Sequence, residues 1–137
     1  MSDAHSATYP VSVKGVLLTP DGEVVLLLNE RDEWELPGGR IDLGESSAEC
    51  LAREIREELD LHVSVGAPLD TYLFEVIPDK HVFIATYRCT LTGPYAPVVS
   101  HEHKLLGTFP PHALPVDLPE GYRRSIEAAC GTSTASN

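Results

Sequence analysis

The chain has 137 residues, of which 42% are hydrophobic and 23% charged, and its formal net charge at pH 7 is −11. This length predicts one domain with a substantial core, and no apolar run approaches the ~20 residues that cross a bilayer as a helix. The acidity disfavours nucleic acid and anionic lipid as partners, because both are negatively charged. The three cysteines lack paired spacing, which argues against a disulfide framework or a zinc site and favours a reducing, cytoplasmic setting.

The first third of the chain predicts short strands separated by turns. Apolar runs rich in Val and Leu predict the strands, and Asp21-Gly22 is the strongest turn signal. The polar N-terminus has no signal-peptide pattern. In chain order, we predict a flexible arm over residues 1–7, a hairpin of strands over 9–18 and 23–28, an extended segment over 34–36, and a loop over 38–45.

A helix is predicted to follow this loop. Ser46 and Glu49 have the S-x-x-E spacing of a capping box, so the helix should begin near Ser47 and end near Asp60. Apolar residues then recur at steps of three and four, which predicts one core-facing stripe. The stripe consists of Ala48, Leu51, Ala52, Ile55 and Leu59.

The rest of the chain predicts more strands and one further helix. In order, these are strands over 61–65, 69–77 and 81–91, a loop over 92–100, an extended segment over 105–109, a helical turn over 112–114, an amphipathic helix over 118–130 and a flexible tail over 132–137. Pro119 lies in the first turn of the second helix and Gly131 just past its end. Short strands around two helices indicate an α+β fold with a mixed sheet and one helix on each sheet face.

Residues 30–60 concentrate negative charge, with eleven acidic and four basic side chains and therefore a net charge of −7. Such crowding favours a compensating cation. Glu54, Glu57 and Glu58 stand at i, i+3 and i+4, so they project from one side of the predicted helix. Carboxylates in this arrangement suit a hard divalent cation. A solvated acidic helix face is the alternative, and the close grouping of the three glutamates favours the metal.

The spacing of these residues resembles the signature of the Nudix hydrolases, G-x5-E-x7-R-E-U-x-E-E-x-G-U, in which U is a bulky aliphatic residue. The matching residues are Gly39, Glu45, Arg53-Glu54-Ile55, Glu57-Glu58 and Leu61. One position departs from the signature, because Asp60 stands where the family has its last glycine. This departure affects the geometry of the helix exit, where Gly is the usual residue, and leaves the glutamate positions unchanged.

The resemblance implies a Nudix-type α/β/α sandwich around a central mixed β-sheet, with a loop-helix-loop catalytic element. It also implies a hydrolase that uses Mg²⁺ or Mn²⁺ to cleave the diphosphate linkage between a nucleoside diphosphate and another moiety. By position, the implied metal ligands are Glu54, Glu57, Glu58 and a carbonyl near Gly38. Glu54 and Glu57 are also candidate catalytic bases. Gly39, Glu45 and Arg53 are implied to hold the element together.

Glu102 is a further candidate, because Ser100-His101-Glu102-His103 is similar to the loop on which many family members carry a glutamate opposite the helix. The resemblance implies that Glu102 binds metal or acts as a catalytic base, and the alternative is a solvated loop acid. His101 and His103 are interpreted as surface residues rather than metal ligands.

The sequence says less about the substrate. Arg31, Arg40 and Lys80 are candidate phosphate contacts, although each is also compatible with plain surface. Tyr72 and Phe74 are candidates for stacking on a base, although aromatic residues at this spacing on a strand more often belong to the core. The implied partner is a small phosphorylated nucleotide, without membrane or nucleic acid, and a homodimer is left open. Two alternatives are a catalytically silent nucleotide-sensing or interaction module and an isopentenyl diphosphate isomerase. The complete glutamate set argues against the first, and the lack of a catalytic cysteine motif argues against the second.

Overall fold

The computed structural model describes residues 6–131, so most of the predicted arm and all of the predicted tail lie outside the described residues. In chain order the elements are β1 (Val11–Leu17), β2 (Val24–Leu28), β3 (Trp34–Glu35), β4 (Gly38–Arg40), α1 (Ser47–Leu59), β5 (Val63–Ile77), β6 (Lys80–Leu91), β7 (Leu105–Phe109) and α2 (Glu120–Cys130). Neither helix of this described part has the length and apolar character that a membrane crossing requires.

The strands form two sheets. The larger is a mixed sheet in the order β4-β1-β6-β5, in which β1 runs parallel to β6 and the other pairs are antiparallel. The smaller is an antiparallel sheet in the order β3-β2-β7. This architecture confirms the predicted α+β fold with a central mixed sheet.

One helix covers each side of the sheets. Leu51, Ile55 and Leu59 of α1 pack with alternate residues of β1 and β2 in one core cluster. Tyr122 and Ile126 of α2 pack with the intervening residues of the same strands in a second cluster. Successive side chains of a strand point to opposite faces, and the all-apolar β2 is buried on both. The predicted arrangement of one helix per face is therefore confirmed.

The start of α1 follows the sequence prediction. Ser46 Oγ accepts a hydrogen bond from the Glu49 amide, and Glu49 accepts one from the Ser46 amide, so the capping box is complete. Asp60 is the C-cap and has the left-handed values φ 55° and ψ 38°. A glycine adopts this conformation without the steric cost that a Cβ atom brings. The departure from the family signature therefore lies at a backbone position that favours glycine.

Replacing Asp60 with glycine is expected to raise the free energy of unfolding by about 1 kcal/mol or less, because it relieves the left-handed strain. Asp60→Ala is the contrasting variant and is expected to lower it by about 1 kcal/mol. Urea denaturation of the three proteins measures both changes. A less stable Asp60→Gly protein would show that the aspartate side chain contributes something that the strain argument omits.

Two predictions near the N-terminus are wrong. The strands over 9–18 and 23–28 do not continue as a hairpin, because only the bridge between Leu18 and Val24 joins them before β1 and β2 enter different sheets. The stretch 38–45 is not a loop throughout, since β4 occupies its first three residues and pairs with β1. Through this pairing, Gly38 and Gly39 become part of the edge strand of the mixed sheet, next to β1.

Further corrections concern the second half of the chain. The strands predicted over 61–65 and 69–77 are one strand, β5, which absorbs Pro68 at register irregularities rather than ending there. The predicted helical turn near Ala113 is a hydrogen-bonded turn in which the Ala113 amide donates to the Pro110 carbonyl over 2.9 Å. Pro119 is the N-cap of α2 rather than part of its first turn, and Gly131 caps its end as expected.

Candidate active site

The α1 helix places its three glutamates in three different environments. Glu57 is exposed, with 54% of its side chain accessible, Glu54 is half-buried and Glu58 is buried, at 5% residue exposure. The difference follows from helical geometry, because Glu58 stands three residues after Ile55 and so flanks the apolar stripe, whereas Glu57 lies nearly opposite that stripe. The three carboxylates therefore extend from the core boundary to the solvent along one side of the helix.

Glu58 ties the end of α1 to the glycine segment. The Gly38 amide donates a hydrogen bond to Glu58 Oε1 over 2.9 Å. Burial raises the pKa of Glu58 to about 7, although the nearby charge of Lys14 opposes this shift. A buried carboxylate is costly unless a cation or hydrogen bonds compensate it, so this side chain is suited to a cation.

Glu54 lies directly over Gly39. A Cβ atom built on Gly39 would be 2.5 Å from Glu54 Cδ and 2.6 and 2.7 Å from its carboxylate oxygens. Only glycine leaves this space, so the Glu54 carboxylate fits closely against the backbone of β4, and we call this space the glycine cradle. Burial and the charges of Glu57 and Glu102 raise the pKa of Glu54, although Arg53 opposes them.

Arg53 connects the acidic side chains around it. Its guanidinium donates to Glu45 over 2.5 and 3.1 Å, to Glu54 over 3.3 Å and to Glu57 over 3.1 Å, and it lies 3.4 Å from Asp42. The hydrogen bond from Arg53 lowers the pKa of Glu45 to about 2. A guanidinium group is planar and carries several N–H donors, so it can bind several carboxylates at once. Arg53 thereby fixes the loop before α1 against the helix.

The donor set fits a hard divalent cation. All candidate donors are oxygen atoms, which Mg²⁺ and Mn²⁺ prefer, and Glu54 faces the cradle that a side chain on Gly39 would fill. Within residues 6–131, no three side chains of the ligand-forming types already converge as a metal cluster. Arg53 donates to Glu54 and Glu57, and the Gly38 amide donates to Glu58. Each of these hydrogen bonds uses one carboxylate oxygen, so the second oxygen of each glutamate can still contact a cation.

The segment carrying Glu102 is fixed against the end of α1. The Val98 amide donates to the Leu59 carbonyl over 2.8 Å and the Ser100 amide to the Glu58 carbonyl over 2.9 Å. Glu102 itself is exposed, and its charge acts on Glu54. The structure thus places Glu102 on a loop beside the helix glutamates.

The side chain of His103 is only 7% exposed, so its interpretation as a surface residue is wrong, whereas His101 is exposed. His103 Nε2 donates to Glu35 Oε2 over 2.8 Å. This hydrogen bond raises the pKa of His103. Burial acts to raise the pKa of Glu35, but the bond with His103 and the charge of Lys14 hold it below its ordinary value. The Glu35–His103 contact joins the Glu102 loop to β3.

Three cavities converge on Arg31 and Glu35, which line all of them. The inner cavity, of about 250 Å³, adds Ser12, Lys14, Arg40, Val82 and Ile84. The outer cavity, of about 260 Å³, adds Asn29, Glu33, Trp34, Asp117 and Pro119. Both are also lined by Phe74, Val76 and Tyr122. The loop cavity, of about 370 Å³, adds Asn29, Glu30, Glu102 and His103. We refer to the three together as the cleft.

The cleft brings together some of the predicted substrate contacts and leaves others apart. Arg31 and Arg40 share the inner cavity, whereas Lys80 is exposed at the β5–β6 turn and lines none of the three. Phe74 faces the cleft as well as packing on a core cluster, and Tyr72 packs over Gly121 in that core. The substrate role of Lys80 stays a prediction.

Sequence reasoning missed Lys14 and Tyr122 as cleft residues and did not assign Glu35 a role. One signal was available for Lys14, because a lysine interrupts the otherwise apolar run Val13 to Leu18 in a strand predicted to be buried. A charged residue at such a position indicates a specific partner or function. Glu35 and Tyr122 gave no comparable signal, since their proximity depends on how β3 and α2 pack.

Comparison with known proteins identifies the class. The family model for the NUDIX domain matches residues 8–129. A putative 8-oxo-dGTP diphosphatase of Bacillus subtilis is 31% identical over 114 residues, covering 81% of this chain and 74% of that protein. An RNA pyrophosphohydrolase of Ruthia magnifica is 40% identical over 73 residues, covering 50% of this chain and only 41% of that protein. The MutT protein of Methanosarcina mazei shares the fold, with a TM-score of 0.77 at 23% identity over 93% of this chain and 96% of that one.

The chain therefore belongs to the NUDIX domain family. Within that family it is a MutT-like Nudix hydrolase. The Nudix signature that the sequence resembles and the family that the comparisons show are the same, and the resemblance is confirmed.

Proposed function

We propose that the protein is a metal-dependent hydrolase that cleaves the diphosphate linkage of a nucleoside diphosphate bound to another moiety, in a nucleotide, a nucleotide sugar or a dinucleotide. The observation that carries the proposal is the position of the α1 glutamates. Glu58 and Glu54 lie against Gly38 and Gly39, and the adjoining residue Arg40 lines a cationic, aromatic-walled cavity. A site for cations and a site for an anionic, ring-bearing ligand thus meet at β4. The names of the relatives, an RNA pyrophosphohydrolase and a putative 8-oxo-dGTP diphosphatase, support the same chemistry.

Glu54, Glu57 and Glu58 would hold Mg²⁺ or Mn²⁺, with a carbonyl near Gly38 and Glu102 as further oxygen donors. The bound cation would neutralise phosphoryl charge and acidify water. The chain's own residues would then do three things. Arg53 would hold the glutamates in register, the glycine cradle would hold the Glu54 carboxylate against β4, and a free carboxylate would accept the proton of the attacking water.

Glu57 is the best placed of the candidate bases, because it is the most exposed of the α1 glutamates and Arg53 orients it from one side. Glu54 is more enclosed and is suited to constant metal contact. Glu102 is the alternative base, since its loop lies beside the helix and its side chain is free to approach a bound ligand. The proton of the attacking water would therefore be accepted either by Glu57 on α1 or by Glu102 on its loop.

The cleft suits a small nucleotide. Trp34, Phe74 and Tyr122 provide aromatic surface against which a base can pack, and Arg31 and Arg40 provide charge for phosphates. Acceptors on Asp117 and Glu35 can receive hydrogen bonds from the edge of a base.

We also propose a cytoplasmic setting, in keeping with the three free cysteines, and a homodimer stays a prediction.

A hydrolysis screen tests the proposal. The purified protein is incubated with 8-oxo-dGTP, CTP, UDP-glucose, diadenosine tetraphosphate and 5′-triphosphorylated RNA in Mg²⁺, Mn²⁺ or EDTA. Phosphorus NMR in ¹⁸O-labelled water then identifies the product and the phosphorus that is attacked. We expect turnover of at least one small nucleotide with either metal and none in EDTA, because the metal supplies the charge neutralisation.

Two outcomes of the screen would contradict the proposal. Turnover that persists in EDTA at the rate seen with metal would exclude metal dependence. Binding of the nucleotides without any turnover in Mg²⁺ or Mn²⁺ would favour the alternative of a catalytically silent nucleotide-sensing module. Restoring Mn²⁺ after EDTA treatment serves as the control that the protein remained folded.

A further inference from the structure

The inner cavity is cationic although the protein is strongly acidic. Three of the chain's ten Lys and Arg residues, Lys14, Arg31 and Arg40, line this one cavity, and Glu35 is the only acidic residue that does so. A protein with a net charge of −11 repels anions at long range. A local cluster of cations in a concave site opposes that repulsion, so the cavity is suited to an anionic group.

Lys14 differs from the two arginines because it is buried at 8% exposure, on the floor of the cavity. Glu35, Glu58 and Glu54 act on its charge from a distance. None of the salt bridges formed among residues 6–131 includes Lys14. An ammonium group withdrawn from water without a direct ion pair is costly, and such a cost is commonly retained where a ligand supplies the partner.

The position of Lys14 indicates which part of a ligand it meets. In the pairing of β1 with β4, Lys14 is opposite Gly38, whose amide binds Glu58. Lys14 also lies near Tyr122, which together with Phe74 lines the same cavity. It therefore stands between the metal-binding end of the site and its aromatic end. In a nucleotide, the phosphate attached to the ribose is the part of the diphosphate that lies nearest the base.

We propose that Lys14 is a substrate-binding residue that, together with Arg31 and Arg40, binds the phosphate attached to the nucleoside. This inference rests on the proposed nucleotide substrate. It adds that side chains of the protein, rather than a bound metal ion, bind this phosphate. A nucleoside monophosphate, the product that keeps this phosphate, should accordingly bind the inner cavity without any metal.

Binding without metal tests this directly and does not depend on turnover. Titrations of ¹⁵N-labelled protein in EDTA follow amide shifts with CMP, GMP, cytidine, guanosine and inorganic phosphate. We expect both monophosphates to bind more tightly than their nucleosides. Lys14→Met should weaken monophosphate binding ~10- to 100-fold, because a charge-assisted contact is lost, and should leave nucleoside binding unchanged. Lys14→Arg should keep most of the affinity, since it keeps the cation.

Lys104→Met is the matched control, because it removes an exposed lysine charge that pairs with Asp32 over 2.6 Å and lies outside the inner cavity. Its monophosphate affinity should equal that of the unaltered protein. Three results would overturn the proposal: no monophosphate binding by the unaltered protein in EDTA, equal binding by Lys14→Met, or an equal loss of nucleoside and monophosphate binding, which would place Lys14 on the base. Dispersed amide spectra establish that each variant is folded, and Lys14→Arg provides the comparison if Lys14→Met is not.

Each of these outcomes is separate from a failure of the proposed function. Hydrolysis of a nucleotide with Mn²⁺ but no Lys14-dependent binding in EDTA would support the proposed function and contradict the phosphate subsite. Binding of monophosphates through Lys14 but no hydrolysis of the screened nucleotides would support the subsite and contradict the proposed function.

Discussion

The Glu57→Gln protein is expected to fold normally and to hydrolyse its substrate at least ~100-fold more slowly than the unaltered protein. Glutamine has the same shape but cannot accept the proton of water, and it is a weaker ligand for a divalent cation. More than half of the Glu57 side chain is exposed, and its contacts are to Arg53, so its charge is not needed for core packing. Steady-state kinetics with the substrate that the screen identifies measure the change.

Glu49→Gln is the matched control for this variant. It removes the same charge from the same helix, and glutamine can still accept the hydrogen bond of the Ser46 amide, so the capping box is kept. Its kcat should equal that of the unaltered protein. Full activity in Glu57→Gln would exclude Glu57 as the base and as an essential ligand, and attention would pass to Glu102. A severe loss confined to KM would instead indicate a role in substrate binding.

The parts of the site that the sequence predicted are those determined over short distances along the chain. The capping box at Ser46 and Glu49 and the grouping of the glutamates on α1 depend on residues three and four positions apart. Helical geometry alone converts such spacing into a common face. The left-handed backbone conformation at Asp60 was equally predictable, because the family signature has glycine at that position.

The errors arose where the chain is arranged by distant partners. The turn at Asp21-Gly22 has a hairpin composition, yet β1 pairs with β6 and β4 while β2 pairs with β7 and β3. A turn signal cannot report which sheet each strand will join. Pro68 marks a break in a local pattern, but pairing with β6 carries β5 past it.

The cleft could not be predicted for the same reason. Lys14 comes from β1, Glu35 from β3, His103 from the loop before β7 and Tyr122 from α2, and no sequence spacing relates them. Each is ordinary in its own segment, apart from the lysine within an apolar strand. The interpretation of His103 as surface failed because a histidine beside Glu102 gives no sign that Glu35 will bury it. The grouping of the three glutamates on one helix was therefore predictable, and the cleft, which is lined by residues from distant elements, was not.

The two glycines of β4 are expected to respond to alanine in opposite ways. Gly38 has a φ of 142°, and a Cβ atom there would be 2.0 Å from the Val13 carbonyl oxygen, which belongs to the backbone of β1 and cannot move aside. Gly38→Ala should therefore lower the free energy of unfolding by roughly 3 kcal/mol or more. At Gly39 the three atoms nearest to the added Cβ all belong to the carboxyl group of Glu54. Because that side chain is flexible, Gly39→Ala should change stability by about 1 kcal/mol or less.

Gly39→Ala should instead damage catalysis, because it pushes the Glu54 carboxylate out of its cradle. A displacement of about 1 Å at a reacting centre can lower the rate ~100-fold, so we expect kcat to fall by about that factor in a stably folded protein. Urea denaturation and kinetics on the same preparations separate the two effects, and Gly93→Ala is the control, since no atom lies within 4 Å of its added Cβ. Full kcat in Gly39→Ala would show that Glu54 acts equally well from another position. Native stability in Gly38→Ala would contradict the tight contact between β4 and β1 on which the geometry of the whole glutamate site depends.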